Sequence, residues 1–194
     1  MGNARESLIE AAKQLLAEDG YGATSPRDVL ARSGAGQGSL YHHFRGKADL
    51  AATALREVSA QMCTEADEVL DGEADPLAAV LGWLQASRAA LRGCRLGRLA
   101  AEPAVSEPVI AAPIAAYFRH VQDRLTARLA EAAAAGRLST SASAGAVAAS
   151  LLAVIQGGYV LARATGDPEM MRQAQTGAAA LLRSAVRDTQ GESS

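Results

Sequence analysis

The chain has 194 residues, 49% of them apolar and only 4% aromatic, with a formal net charge of −2. That is enough for one compact protein or two small domains, and alanine-rich apolar content without β-alternating runs predicts an all-α fold packed through Ala, Leu and Val. It argues against disorder, and against a protein that coats nucleic acid, which needs many phosphate-neutralising cations.

The N-terminal stretch MGNARESLIEAAKQLL has interspersed acids and no unbroken apolar run, so it does not read as a secretory signal. Glu6 stands where a myristoylation signal needs Ser or Thr. Leu8, Ile9, Ala12, Leu15 and Leu16 recur at helical spacing and predict a helix over 4–19 that stops at Gly20. Next comes TSPRDVLARSGAGQGSLYHHFRGKADL, residues 24–50. Ser25 suits an N-cap, Pro26 the first helical position, and Asp28 completes a Ser-x-x-Asp capping pattern, so a helix runs from Pro26 to Ser33. Gly34 can take the positive φ that ends it, and Gly34-Ala35-Gly36 is the turn. A second short helix over 37–44 puts Leu40 and Phe44 on one buried face. Gly38 and His42 point the opposite way, with Ser39 and Tyr41 on the flanks and Gln37 at the N-terminal end. A helix that shows small and hydrogen-bonding groups outward can enter a major groove; the plain alternative is a surface helix.

GQGSLYHHFRGKADL with the preceding RDVLARSG resembles the DNA-binding segment of TetR-family transcriptional regulators, with Gly34, Gly38, Leu40, Tyr41, His43, Phe44, Lys47, Asp49 and Leu50 in register. Leu8 to Ala12 and Gly20 to Thr24 resemble the family's first helix and the loop after it. Pro26, Leu30, Ala35 and Gly36 depart from the usual residues without breaking the pattern. The resemblance implies an N-terminal three-helix helix-turn-helix domain over 1–46 and a C-terminal helical bundle over 47–190 for effector binding and dimerisation. It implies a cytoplasmic homodimer bound to a double-stranded palindromic operator and released by a small organic effector, with no enzymatic activity, no cofactor and no membrane partner.

Gln37, Ser39 and Tyr41 are the candidates for base edges, Gly38 for close approach to a thymine methyl, and Arg27 for a base or phosphate. Ser25, His42, His43 and Lys47 are candidates for the backbone. Packing competes with contact at Tyr41 and at His43, which lies about 60° from Leu40.

Beyond Gly46 a long helix is expected to about residue 70, then a solvated acidic run, Glu65, Asp67, Glu68, Asp71, Glu73 and Asp75, with no basic residue in it. Asp75-Pro76 starts a helix that Gly93-Cys94 ends. A short helix over 96–102 and a long one over 109–135 follow, Pro113 either kinking the latter or marking its true start. The last helices are expected over 142–164 and 168–187, with 190–194 a frayed tail. The uncharged run 138–162 is long enough for a bilayer but too rich in Ser, Thr and Ala, including Ser139, Thr140 and Ser141, to be read as a span.

Val147, Leu151, Ile155 and Tyr159 form a stripe, and Ala148, Ala149, Gly157 and Gly158 allow close approach of another helix. Periodicity leaves a monomer core open, and the resemblance favours an interface, since such regulators usually dimerise through two C-terminal helices. GCRLGRLAAE, residues 93–102, resembles the LmrA/YxaF-like subgroup, whose members are associated with drug or flavonoid-like effectors. Trp83, Tyr117, Phe118, His120, Gln156 and Tyr159 are the side chains able to stack on or hydrogen-bond such a ligand, each with a core-packing alternative. Cys63 and Cys94 lack metal or CxxC spacing, so no disulfide or metal site is expected. Cys94 with His120 or Glu102 would be the only conceivable catalytic group, a poor case beside the regulator; a helical protein adaptor is the third reading.

Overall fold

A computed structural model describes residues 4–138 and 142–186. Among them are nine α-helices, no β-strand, and one isolated bridge between Leu138 and Val186. The helices are α1 (Ala4–Glu18), α2 (Gly20–Ala23), α3 (Pro26–Ser33), α4 (Gln37–His43), α5 (Lys47–Asp71), α6 (Pro76–Gln85), α7 (Pro108–Ala134), α8 (Ala144–Thr165) and α9 (Glu169–Ser184). Two short 3-10 turns, Leu99–Ala101 and Pro103–Ser106, lie between α6 and α7. The all-α expectation holds. The expected frayed tail, the end of the last helix at 187, and Ser139, Thr140 and Ser141 lie outside the described residues. The chain divides into two compact units: Met1–Met62 with Arg95–Phe118, and Cys63–Cys94 with Arg119–Ser194.

In the first unit α1 lies against α2, α3 and α4. Leu8, Ile9, Leu15, Leu16, Val29, Leu40, Phe44, Leu50 and Leu55 are all buried there. Each such side chain contributes about 1.5–3 kcal/mol by leaving water. Ion pairs close the rim: Lys13 to Glu57 at 2.7 Å joins α1 to α5, and Arg32 to Glu18 at 2.6 Å joins α3 to α1. Gly20 has φ +85°, the left-handed conformation its lack of a Cβ permits, so the chain leaves α1 and at once begins α2.

In the second unit α9 packs along α8 and on α6. Their approach depends on Gly158, where an added Cβ would come within 2.8 Å of the Met171 sulfur. Leu151 and Ile155 of the α8 stripe, with Ala148 and Gly158 beside it, are buried inside this unit. By length and composition alone α8 is apolar enough to cross a membrane.

Three expected boundaries shift. α6 ends at Gln85 because Arg88 turns back and donates to the carbonyls of Trp83, Leu84 and Ala86 at 2.6–2.9 Å. The buried Gln175 amide adds bonds to Leu84 and Ala86 at 2.7 and 3.0 Å. The helix expected over 96–102 contracts to the turn Leu99–Ala101. Pro113 does not mark the start of α7, which opens at Pro108 and carries Pro113 in its second turn, without the bond to the Val109 carbonyl.

The acidic run is not simply solvated. Asp67 accepts from His120 Nε2 at 2.9 Å and from Arg124 Nε at 2.9 Å, Asp71 also pairs with Arg124, and Asp75 with Arg137 at 2.5 Å. These bases lie 53 to 62 residues along the chain, so no local pattern marks them. The Arg137 hydrogen bond holds the Asp75 carboxyl below the ordinary aspartate range. A depressed folded-state pKa stabilises above the unfolded value and stops doing so as the pH falls through the folded one. Thermal stability of the wild type is therefore expected to fall below about pH 4 more steeply than that of Asp75→Asn. Parallel acid limbs for the two proteins in a pH series of melting curves would remove Asp75 from the account.

Candidate nucleic-acid interface

α3 is closed at its start by local chemistry. Asp28 N–H donates to Ser25 Oγ at 3.2 Å, while the Ser25 backbone N–H and its hydroxyl donate to Asp28 Oδ2 at 3.0 and 2.6 Å. Those bonds, the hydroxyl's first, hold the Asp28 carboxyl below its usual range. Because the single Ser25 proton goes to Asp28, this hydroxyl serves the cap. Arg27, the next position of the turn, is exposed.

Gly34 ends α3 with φ +68°, its N–H donating to the Leu30 carbonyl at 3.1 Å. Gly36 then caps α4 with extended backbone and no side-chain bond. Leu40 is 1% exposed and Phe44 4%, the two anchors of α4 in the core. Gln37, Gly38, Tyr41, His42 and His43 are exposed and Ser39 is half-exposed. Tyr41, 58% exposed, is therefore no core residue. His43 is exposed as well, although its ring meets those of His42 and Phe44 edge-on at 4.8 and 6.3 Å. A Cβ added at Gly38 would meet nothing within 4 Å, so nothing inside the chain demands glycine there.

Lys47 opens α5 and sits with its Nζ 4.2 Å from the centre of the Tyr21 ring. A cation–π contact holds an ammonium without neutralising it, so the charge stays available to an anion. Burial, followed by the Glu107 carboxylate, raises the Tyr21 phenol above its ordinary value and keeps it neutral beneath the lysine. Arg45 N–H donates to Asp49 at 3.0 Å, which fixes the bend between α4 and α5. The result is one short helix presenting hydrogen-bonding groups outward, with cations at its flanks, the arrangement that lets a helix enter a major groove.

Two sequence profiles match this chain. "Bacterial regulatory proteins, tetR family" matches residues 8–54, and "Tetracyclin repressor-like, C-terminal domain" matches residues 74–178. The chain belongs to the TetR family. Among its relatives in Bacillus subtilis (strain 168), the HTH-type transcriptional regulator LmrA is 32% identical over 124 residues, 60% of this chain and 66% of LmrA. The uncharacterized HTH-type transcriptional regulator YxaF is 31% identical over 116 residues, 56% of this chain and 61% of YxaF. The matched segments thus span about two thirds or less of those relatives, which agree with the subgroup that residues 93–102 resemble. A crystal structure of a TetR-family transcriptional regulator from Agrobacterium tumefaciens is 26% identical and covers 92% of this chain and 97% of its own, with a TM-score of 0.81. Regulators, not enzymes, make up this family.

The other candidate residues are dispersed among structural duties. Trp83 is buried and carries the Arg88 guanidinium 5.1 Å from its ring centre. His120 is held by Asp67, and Tyr159 packs on the cluster of Ala90, Ala162 and Met171. Tyr117 is buried, its ring 5.2 Å from that of Phe118; Gln156 is half-buried. A cavity of about 280 Å³ in the second unit is lined by α8 and α9, among them Val147, Ser150, Val154, Leu181 and Leu182, and by none of these six residues. Neither cysteine is in a disulfide, and no His/Cys/Asp/Glu group able to hold a metal occurs among the described residues.

Glu102 and Arg98 hold backbone groups of the first unit, a role that no pattern in the sequence announces. Glu102 accepts the backbone N–H groups of Tyr21 at 3.1 Å and Gly22 at 2.9 Å. Arg98 donates to the carbonyls of Ala17 and Glu18, the latter at 3.1 Å. A guanidinium and a carboxylate four residues apart, flanking the turn Leu99–Ala101, are the only signal, and their partners lie about 80 positions away.

Proposed function

We propose that the chain is a homodimeric repressor that reads a palindromic operator and is released from it by a small organic molecule. The observation that carries this reading is α4, whose exposed face is free of any packing duty while Leu40 and Phe44 anchor its back. Gln37, Ser39 and Tyr41 contact base edges, with Arg27 reaching in from α3. His42, His43 and Lys47 contact phosphates, and Ser25 acts by fixing the start of α3. Residues 1–46 form the reader and 47–190 the effector and dimerisation part.

Two copies are needed, because one seven-residue helix reads too few bases for specificity. Dimerisation then sets two α4 helices about 34–36 Å apart along the duplex. Its best-supported surface is the exposed side of α8 and α9, where Val160, Leu161 and Leu181 are 66%, 46% and 73% exposed. A ligand that favours dimers with mismatched spacing lowers operator affinity by linkage, and two decades require a discrimination of about 2.7 kcal/mol. Trp83, Tyr117, Phe118, His120, Gln156 and Tyr159 remain the candidate ligand contacts. The family's usual cytoplasmic setting fits this role.

Selection of bound duplexes from a random DNA pool tests the reading, and enrichment of no common palindrome sinks it. Gly38→Ala then tests the interface. Alanine is favoured over glycine within a helix by up to about 1 kcal/mol, and its methyl has open space, so the fold should hold or gain. Operator affinity is expected to drop at least tenfold, as two methyl groups, one per subunit, stand between helix and base. Unchanged affinity would place Gly38 away from DNA.

A further inference from the structure

The first unit contains a contact that the reading of α4 does not use. Between the 3-10 turns and the reader, two side chains of one short segment take hold of one backbone corner. Arg98 satisfies carbonyls left open at the end of α1, those of Ala17 and Glu18. Four residues on, Glu102 satisfies the N–H groups of Tyr21 and Gly22 at the start of α2. Between these two anchors lies Gly20 with φ +85°, and a Cβ there would overlap Glu102 Oε1. Charge is matched at both ends, a cation on helix carbonyls and an anion on helix N–H groups. Tyr21, whose N–H is held by Glu102, is the residue whose ring carries Lys47, the first residue of α5.

We infer that Arg98 and Glu102 are positioning residues for DNA reading, a clamp that fixes the α1–α2 corner and through Tyr21 the start of α5. The clamp is covalently continuous with α6, which ends at Gln85, and with α7, which begins at Pro108. It therefore gives the segment between those helices a direct hold on the reader, in addition to α5. This inference rests on the proposed operator-binding function.

The test uses the full chain and the duplex selected by the wild type, alongside the same duplex with one base pair inserted at its centre. A clamp that fixes the reader makes the wild type discriminate between the two. Glu102→Ala is expected to lose about tenfold or more in affinity for the selected duplex and to lose most of that discrimination. Amide exchange at Tyr21 and Gly22 should accelerate while that of α8 and α9 is unchanged. A variant that is merely less stable would bind less of both duplexes and keep their ratio, and an unchanged ratio overturns the inference. Should Glu102→Ala not accumulate as folded protein, Glu102→Gln keeps the side chain's size and one acceptor oxygen, and is expected to lose part of the discrimination. Arg98→Met, which keeps the stem and removes both bonds, should act in the same direction. Failure of the wild type to select any duplex overturns the functional reading and this inference with it; retained discrimination in all three variants overturns the inference alone.

Discussion

Tyr41→Ala is expected to abolish specific operator binding while leaving the fold intact. Tyr41 is 58% exposed, and substitutions at such positions usually change stability by no more than about 0.5 kcal/mol. A lost base contact costs about 1–3 kcal/mol, and a homodimer loses it twice, so the loss is about 2–6 kcal/mol. At about 1.4 kcal/mol per decade, this spans roughly thirty-fold to more than ten-thousand-fold. Fluorescence anisotropy on the selected duplex reads the affinity, and melting curves with size analysis read fold and dimer. Affinity within threefold of wild type, with the fold intact, would take Tyr41 out of the interface.

One residue earlier, the outcome reverses. Leu40→Ala removes a side chain that is 1% exposed, on a helix packed against α1. Truncating a buried leucine costs about 2–5 kcal/mol, the larger values applying where the surroundings cannot collapse. That is a large share of the roughly 5–15 kcal/mol that holds a typical domain together. DNA binding should be lost here too, but with a melting temperature lowered by many degrees, whereas Tyr41→Ala leaves it in place. If Leu40→Ala melts like the wild type, the assignment of the two faces of α4 is wrong.

The parts of the molecule visible in the sequence are those whose causes are local. Ser25, Pro26 and Asp28 make the start of α3 within four residues, and Gly34 ends it, so both boundaries follow from caps. Leu40 and Phe44 are legible for the same reason, since helical rotation alone puts them on one side. The end of α6 was not legible, because Arg88 and Gln175 determine it, and Gln175 is about 90 positions away. The acidic run misled in the same way, its basic partners lying on the far side of a long connection. Gly158 shows the limit of periodicity: spacing marks it as a place of close helix approach, but not that the approaching helix is α9 of the same chain. In the sequence Glu102 offers only a poor catalytic pairing with Cys94, because the backbone N–H groups it holds leave no trace there.

The open space around Gly38 bears on how this reader can change over generations. Its neighbours Gln37, Tyr41 and His42 are exposed, while Leu40 and Phe44 alone root the helix. Under the proposed operator-reading function, mutations on that outer face are filtered by what the duplex accepts, scarcely by what the fold tolerates. New operator preferences can therefore arise by drift at four positions without first acquiring compensating changes in the core. A library randomised at those four positions should be mostly folded, which makes this helix a practical starting point for engineering regulators with altered targets.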